Sequence, residues 1–86
     1  MAVTVLVPSL LAAQAGGTNR FEVEAPSVAA ALRALPVSDL IFDETGTLRG
    51  LVTVYVDGKD IRTRDGVETP LEGDEEIRIV AAIAGG

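Results

Sequence analysis

Cysteine, histidine and tryptophan are all absent from the 86-residue chain. Without cysteine there is no disulfide framework and no thiolate nucleophile. Without histidine as well, the usual zinc sites, a serine triad and imidazole acid/base chemistry are excluded. Aromatic side chains make up only 3% of the chain, as Phe21, Phe42 and Tyr55, so the core must come from Val, Leu, Ile and Ala. Positive charge is scarce too. Seven Lys and Arg stand against 13 Asp and Glu, a net charge of −6. Phosphate contacts need a basic surface, so no nucleic-acid partner is expected. The acidity keeps a small domain soluble and also fits docking on a basic protein partner. No apolar run has the length of a membrane span, and the N-terminus lacks a basic region followed by a signal-type core. The expectation is a cytoplasmic protein with no membrane partner.

What is present reads as one small domain. Ala2 to Val7 is rich in β-branched residues, with Val3, Val5 and Val7 on one face, and Pro8 ends regular pairing. Ser9 to Asn19 reads as a small-residue loop closed by Gly16-Gly17. It lacks the glycine spacing and the Lys-Ser or Lys-Thr ending of a phosphate-binding loop. Arg20 to Ala25 alternates as a second strand. Ser27 is a helix N-cap, followed by Val28, Leu32 and Leu35 in one apolar stripe among alanines, and Pro36 stops the helix.

From Val37 to Gly50 the pattern is irregular, with Leu40, Ile41 and Phe42 expected to pack beneath it. Asp43-Glu44-Thr45-Gly46 is an acidic turn, where a carboxylate metal site is the alternative to a solvated loop. Leu51 to Val56 is the clearest strand, with Val52, Val54 and Val56 expected to lie buried together under the helix stripe. Asp57-Gly58 is a hairpin signal, since both central turn positions favour positive φ. Lys59 to Arg62 should return as a short strand, Thr63 to Pro70 as a loop, and Glu76 to Val80 as the last strand with Ile77 and Ile79 inward. This order implies an α+β fold: a mixed sheet with one main helix across it, strands one and two forming a hairpin. The last strand then lies parallel to the first at the sheet centre. Residues 1–80 form the domain, and 81–86 a flexible tail.

That tail, Ala81-Ala82-Ile83-Ala84-Gly85-Gly86, is the most distinctive stretch. It ends on two glycines, which lack Cβ and so pass through narrow channels closed to other residues. Its one distinctive chemical group is the α-carboxylate of Gly86. Ile83 is the lone large aliphatic residue in the tail and is expected, with Ala84, to bind a partner.

Taken in order, several pieces resemble the ubiquitin-like β-grasp sulfur carriers, the family of the molybdopterin synthase small subunit and the thiamin thiazole carrier. They are Val7-Pro8-Ser9-Leu10-Leu11, Gly16-Gly17, the helix from Val28 to Leu35, Leu51 through Arg62, Thr69 through Glu75, and Ala84-Gly85-Gly86. The nearest resemblance is to the branch serving cysteine and secondary-metabolite sulfur incorporation. Two features depart from the family pattern. Ala81 and Ala82 stand where a proline often precedes the tail, and Pro36 to Gly50 is short, so that a second helix there is reduced to a turn.

The resemblance implies a carrier and not an enzyme. An activating enzyme of the ubiquitin-activating type adenylates the Gly86 carboxylate, and a sulfur donor displaces AMP to leave a thiocarboxylate. Gly85 gives the tail access to that enzyme's site. The carrier itself binds no cofactor or metal, because ATP and Mg²⁺ belong to the activating partner. A second partner accepts the sulfur for biosynthesis. Two other readings stay open: a ubiquitin-like modifier joined through Gly86 to target lysines, and a non-catalytic binding module.

Overall fold

The computed structural model describes residues 2–81. Strand β1 (Val3–Leu6) is followed by helix α1 (Ser9–Gln14), strand β2 (Arg20–Val23) and helix α2 (Val28–Arg33). Then come the short helix α3 (Ser38–Ile41), strands β3 (Val52–Val56) and β4 (Lys59–Asp60), two 3-10 turns (Ile61–Thr63 and Gly66–Glu68), and strand β5 (Glu76–Ala81). The strands form one mixed sheet in the order β2-β1-β5-β3-β4. β5 pairs parallel with β1, with Val5 opposite Ile77, and antiparallel with β3, with Val54 opposite Ile79. The last strand therefore lies at the sheet centre beside the first, as the sequence pattern implies.

Alternation puts one face of each central strand against α2. Val3, Val5, Val54, Val56, Ile77 and Ile79 are buried there together with Val28, Ala31, Leu32 and Leu35. Burying one such aliphatic side chain is worth about 1.5–3 kcal/mol, so this aromatic-poor layer is the main source of stability. The Ser27 hydroxyl accepts from the Ala30 amide at 3.3 Å and caps α2. Val28 N–H donates to the Thr69 carbonyl and Leu71 N–H to that of Pro26, each at 3.0 Å, which ties the helix start to the long return segment. Thr69 is fully buried, but its hydroxyl donates to the Gly66 carbonyl at 2.7 Å and accepts from the Asp65 amide at 3.2 Å. No polar group is stranded there.

Several elements differ from the sequence reading. The expected loop after Pro8 is helical over Ser9–Gln14. Leu10 to Gln14 are all good helix formers, and Leu11 and Ala12 are buried against the core. Gly16 and Gly17 have φ of +74° and +93°, and Gly17 N–H donates to the Ala12 carbonyl at 2.8 Å. The glycine pair ends a helix, where left-handed backbone suits glycine. The antiparallel β1–β2 pair is thus joined through a helix.

The second strand ends at Val23, two residues early. The return strand after Asp57-Gly58 covers only Lys59–Asp60, because the Asp60 carboxylate accepts from Arg62 N–H at 2.8 Å and starts a 3-10 turn. Within Val37 to Gly50 a four-residue helix forms, burying Ile41 and Phe42 but leaving Leu40 exposed. Of the three alternating valines, Val54 and Val56 are buried, while Val52 is half-buried near the open end of the sheet. β5 continues one residue past Val80, to Ala81.

Candidate functional site

The C-terminal tail leaves from the most constrained strand of the sheet. β5 is hydrogen-bonded on both sides, and its last residue, Ala81, is half-buried opposite Val52. Its start is fixed as well: Asp57 N–H donates to the Glu76 carbonyl at 2.9 Å, and Glu76 N–H donates to Asp57 Oδ1 at 3.0 Å. Just upstream, the Glu75 carboxylate accepts from the amides of Glu72 (2.7 Å), Gly73 (2.8 Å) and Asp74 (3.1 Å). Partial burial works to raise the pKa of Glu75, but the ring of backbone amides outweighs it and holds the carboxyl below its ordinary range. The expected site residues Gly86 and Gly85, and the partner-binding residues Ile83 and Ala84, lie outside the described residues.

Around the root of the tail the surface is apolar. Leu10 on α1 is 50% exposed, Leu51 before β3 is 52%, Val80 on β5 is 42% and Leu40 on α3 is 37%. Isolated exposed aliphatic side chains are ordinary, but Leu10, Leu40 and Leu51 come from separate parts of the sequence and line one groove with Ala81, while Val80 lies on the opposite face of β5. Sequence reasoning missed Leu10 and Leu40. The available signal was the helical reading of residues 9–14, in which adjacent Leu10 and Leu11 point in different directions.

On the helix-bearing face, Leu10, Leu11, Leu40, Leu51, Val52 and Ala81 line a groove of about 830 Å³, with Gly50 in its wall. Its polar residues are Gln14 and Arg49, and the Arg49 guanidinium donates to the Asp39 carbonyl at 3.1 Å. On the opposite face of the same strand end, Leu6, Pro8, Arg78 and Val80 border a smaller hollow of about 250 Å³. The Arg78–Glu76 pair beside it, at 3.6 Å, is solvent-exposed and contributes little to stability.

The acidic turn lies elsewhere and is a closed loop. Asp43 Oδ1 accepts from the Thr45 hydroxyl (2.7 Å), the Thr45 amide (2.9 Å) and the Thr47 amide (3.1 Å). The Thr45 hydroxyl, then the Thr47 amide, hold the Asp43 carboxyl below its usual value. Among the described residues no group of three or more His, Cys, Asp or Glu side chains is placed to hold a metal ion. The same residues contain no helix long and apolar enough to cross a membrane. What the described site offers is a strand end paired on both sides and an apolar groove beside it.

This arrangement has counterparts among known proteins. The ThiS family matches residues 5–86, which takes the match through the terminal glycines. The sulfur carrier protein CysO of Mycobacterium tuberculosis is 28% identical over 93 residues, covering 100% of both chains. Among solved structures, the small archaeal modifier protein 1 of Methanosarcina acetivorans superimposes with a TM-score of 0.84 at 26% identity, over 99% of this chain and 96% of that one. The crystal structure of the Amycolatopsis orientalis BexX/CysO complex contains a chain matching at TM-score 0.82 and 26% identity, over 99% of this chain and 100% of that one. With a mixed β-grasp sheet, a central last strand and a family match running from β1 to Gly86, the chain belongs to the ThiS family of ubiquitin-like sulfur carriers.

Proposed function

We propose that this chain carries sulfur as a thiocarboxylate on Gly86. The observation that carries the reading is that the family match extends to residue 86, while the strand leading there is the central, doubly paired one. Such a strand fixes where the tail starts, and two terminal glycines let it enter a narrow site. A carboxylate is a poor acyl donor, because the leaving group would be oxide. Its oxygen attacks the α-phosphate of ATP in an activating enzyme and pyrophosphate leaves. The acyl adenylate then accepts a sulfur nucleophile at its carbonyl carbon and AMP leaves. ATP, Mg²⁺ and the catalytic groups belong to the enzyme, so the carrier is its co-substrate and needs neither histidine nor cysteine.

Ile83 and Ala84 would then enter the enzyme beside the channel, Ile83 as an apolar anchor and the backbone through hydrogen bonds. The relatives named CysO favour an acceptor that builds cysteine or a related sulfur-containing product. The test is intact-mass spectrometry after incubation with the cognate activating enzyme, ATP and a sulfur donor. A mass gain equal to the difference between sulfur and oxygen, confined to the C-terminal peptide, is the expected result. An unchanged mass with an active enzyme would sink the reading.

The likeness to an archaeal modifier protein favours a second use of the same activated end, an isopeptide bond to a target lysine. Lys59 is the only lysine of this chain, which leaves it one side-chain amine for chain building on itself. Adducts of higher mass in cells, rather than the thiocarboxylate, would mark that use.

A further inference from the structure

The two edges of the sheet differ. β4, at one edge, covers only Lys59–Asp60 before a 3-10 turn begins, too short to accept another strand. β2, at the other, runs over Arg20–Val23 and, among the described strands, pairs with β1 alone. The phase of that pairing decides which main-chain groups point outward. Val7 N–H donates to the Asn19 carbonyl at 3.0 Å, and the register sets Val5 opposite Phe21 and Val3 opposite Val23. Opposed residues of an antiparallel pair alternate between hydrogen-bonded and non-bonded. Asn19, Phe21 and Val23 therefore turn their main-chain groups to β1, while Arg20 and Glu22 turn theirs to the open edge. Such an edge is a template for one more strand.

We propose that this edge takes a second copy of the chain, antiparallel about a two-fold axis at Phe21. The hydrogen-bonding phase allows only registers in which the outward residues oppose one another. With Phe21 on the axis, Arg20 of each copy stands opposite Glu22 of the other, and each such pair exchanges two main-chain bonds. Opposite charges facing each other stabilise a ladder and like charges weaken it. Moving the axis to the neighbouring positions that the phase allows sets Arg20 against Arg20 or Glu22 against Glu22. Both side chains are exposed, and among the described residues neither has an ion-pair partner within its own chain. The edge is thus self-complementary in one register, which is what commits it to a second copy.

Phe21 and Val23 are half-buried against the core. On the axis the two Phe21 rings meet at a non-hydrogen-bonded position, where opposed side chains come closest. Two five-stranded sheets then become one continuous sheet. In each copy β1 and β2 lie between β5 and the contact. β5 runs parallel to β1, so the two-fold axis points the two β5 ends at Ala81 in opposite directions along the sheet. Four residues a side, against roughly 20–30 in a standard interface, make the contact weak and dependent on concentration.

The test is sedimentation of the full-length chain alone, which makes it independent of sulfur transfer. At about 0.15 M salt the repulsion between two chains of net charge −6 is screened beyond about 8 Å. From micromolar to millimolar concentration the mass should rise from monomer toward dimer, and the amide resonances of Arg20 and Glu22 should move with it. Arg20→Glu or Glu22→Arg alone sets like charges opposite in both pairs and should raise the dissociation constant at least about tenfold. An equimolar mixture of these two variants restores both opposite-charge pairs between unlike copies and should associate again. A mass that stays monomeric into the millimolar range would overturn the proposal. So would self-association that the single reversals leave unchanged, or that the mixture fails to regain, since either places the contact on another surface.

Discussion

Asp57 and Glu76 exchange two hydrogen bonds across the sheet: the Asp57 amide donates to the Glu76 carbonyl, and the Glu76 amide donates to the Asp57 carboxylate, at 2.9 and 3.0 Å. Asp57 sits in the β3–β4 turn with φ of +51°, followed by Gly58 at +83°. One residue therefore makes the hairpin turn and also fixes the first residue of the strand that bears the tail. Asp57→Ala removes the acceptor and places a poorly suited side chain in left-handed backbone. The expected loss of stability is about 1–2 kcal/mol, combining one lost, solvent-exposed hydrogen bond with backbone strain. Asp57→Asn keeps an acceptor and tolerates the conformation, so urea melts should place it much nearer wild type.

Val54→Ala should cost about 1–3 kcal/mol, from lost transfer energy and a small cavity. Val54 is 1% exposed in the layer under α2, opposite Ile79. Val52→Ala should cost clearly less, because Val52 is only half-buried at the open end of the sheet. Equal midpoints for the two variants in denaturant would contradict this placement.

Acid should weaken the fold partly through Glu75. Its carboxyl titrates below the ordinary glutamate value of 4.5 in the folded chain, against the raising effect of partial burial, because three backbone amides donate to it. A folded-state pKa below the unfolded one means that the unfolded chain binds more protons in this range. The contribution is thus fully present above about pH 4.5 and is lost as pH falls through the lower, folded value. Thermal melts from neutral pH down to about pH 3 should show Glu75→Gln less stable than wild type at neutrality and converging with it in acid. Parallel curves would remove Glu75 from the account.

Gly86→Ala, deletion of Gly86 and addition of one residue should all leave the Tm unchanged, since none of them touches the core or the strand pairs of the described residues, which run to Ala81. Each should depress thiocarboxylate formation by about 100-fold or more, because near-attack geometry is lost with misplacements of about 1 Å. One added residue moves the carboxylate by up to about 3.3–3.6 Å. The measurement is a rate by intact mass. Wild-type rates from an extended variant that is never trimmed would show that Gly86 is not the site.

Local rules made much of this protein legible. Alternation in Leu51 to Val56 and Glu76 to Val80, the Ser27 cap, the stripe of Val28, Leu32 and Leu35, and Asp57-Gly58 each encode their structure within a few residues. The two-residue period of a strand and the capping chemistry of a helix act at short range. The Gly85-Gly86 end is equally local, which is why the candidate chemistry could be read from sequence before any fold was known.

Tertiary packing decided the rest. Residues 9–14 form a helix where Leu11 and Ala12 find the core, and the glycines after them stop it. A six-residue helix is too short to hold by propensity alone. Leu40 is exposed because the four-residue helix turns Val37, Ile41 and Phe42 to the core and Leu40 away from it. The grouping of Leu10, Leu40 and Leu51 in one groove beside Ala81 belongs to no single sequence piece. It exists because β5 inserts between β1 and β3, so that three distant segments come together beside its end. The sequence by itself determined the central strands, the main helix and the Gly85-Gly86 ending; only long-range strand pairing decided what surrounds the end of β5 at Ala81, since such contacts depend on where the chain returns in space.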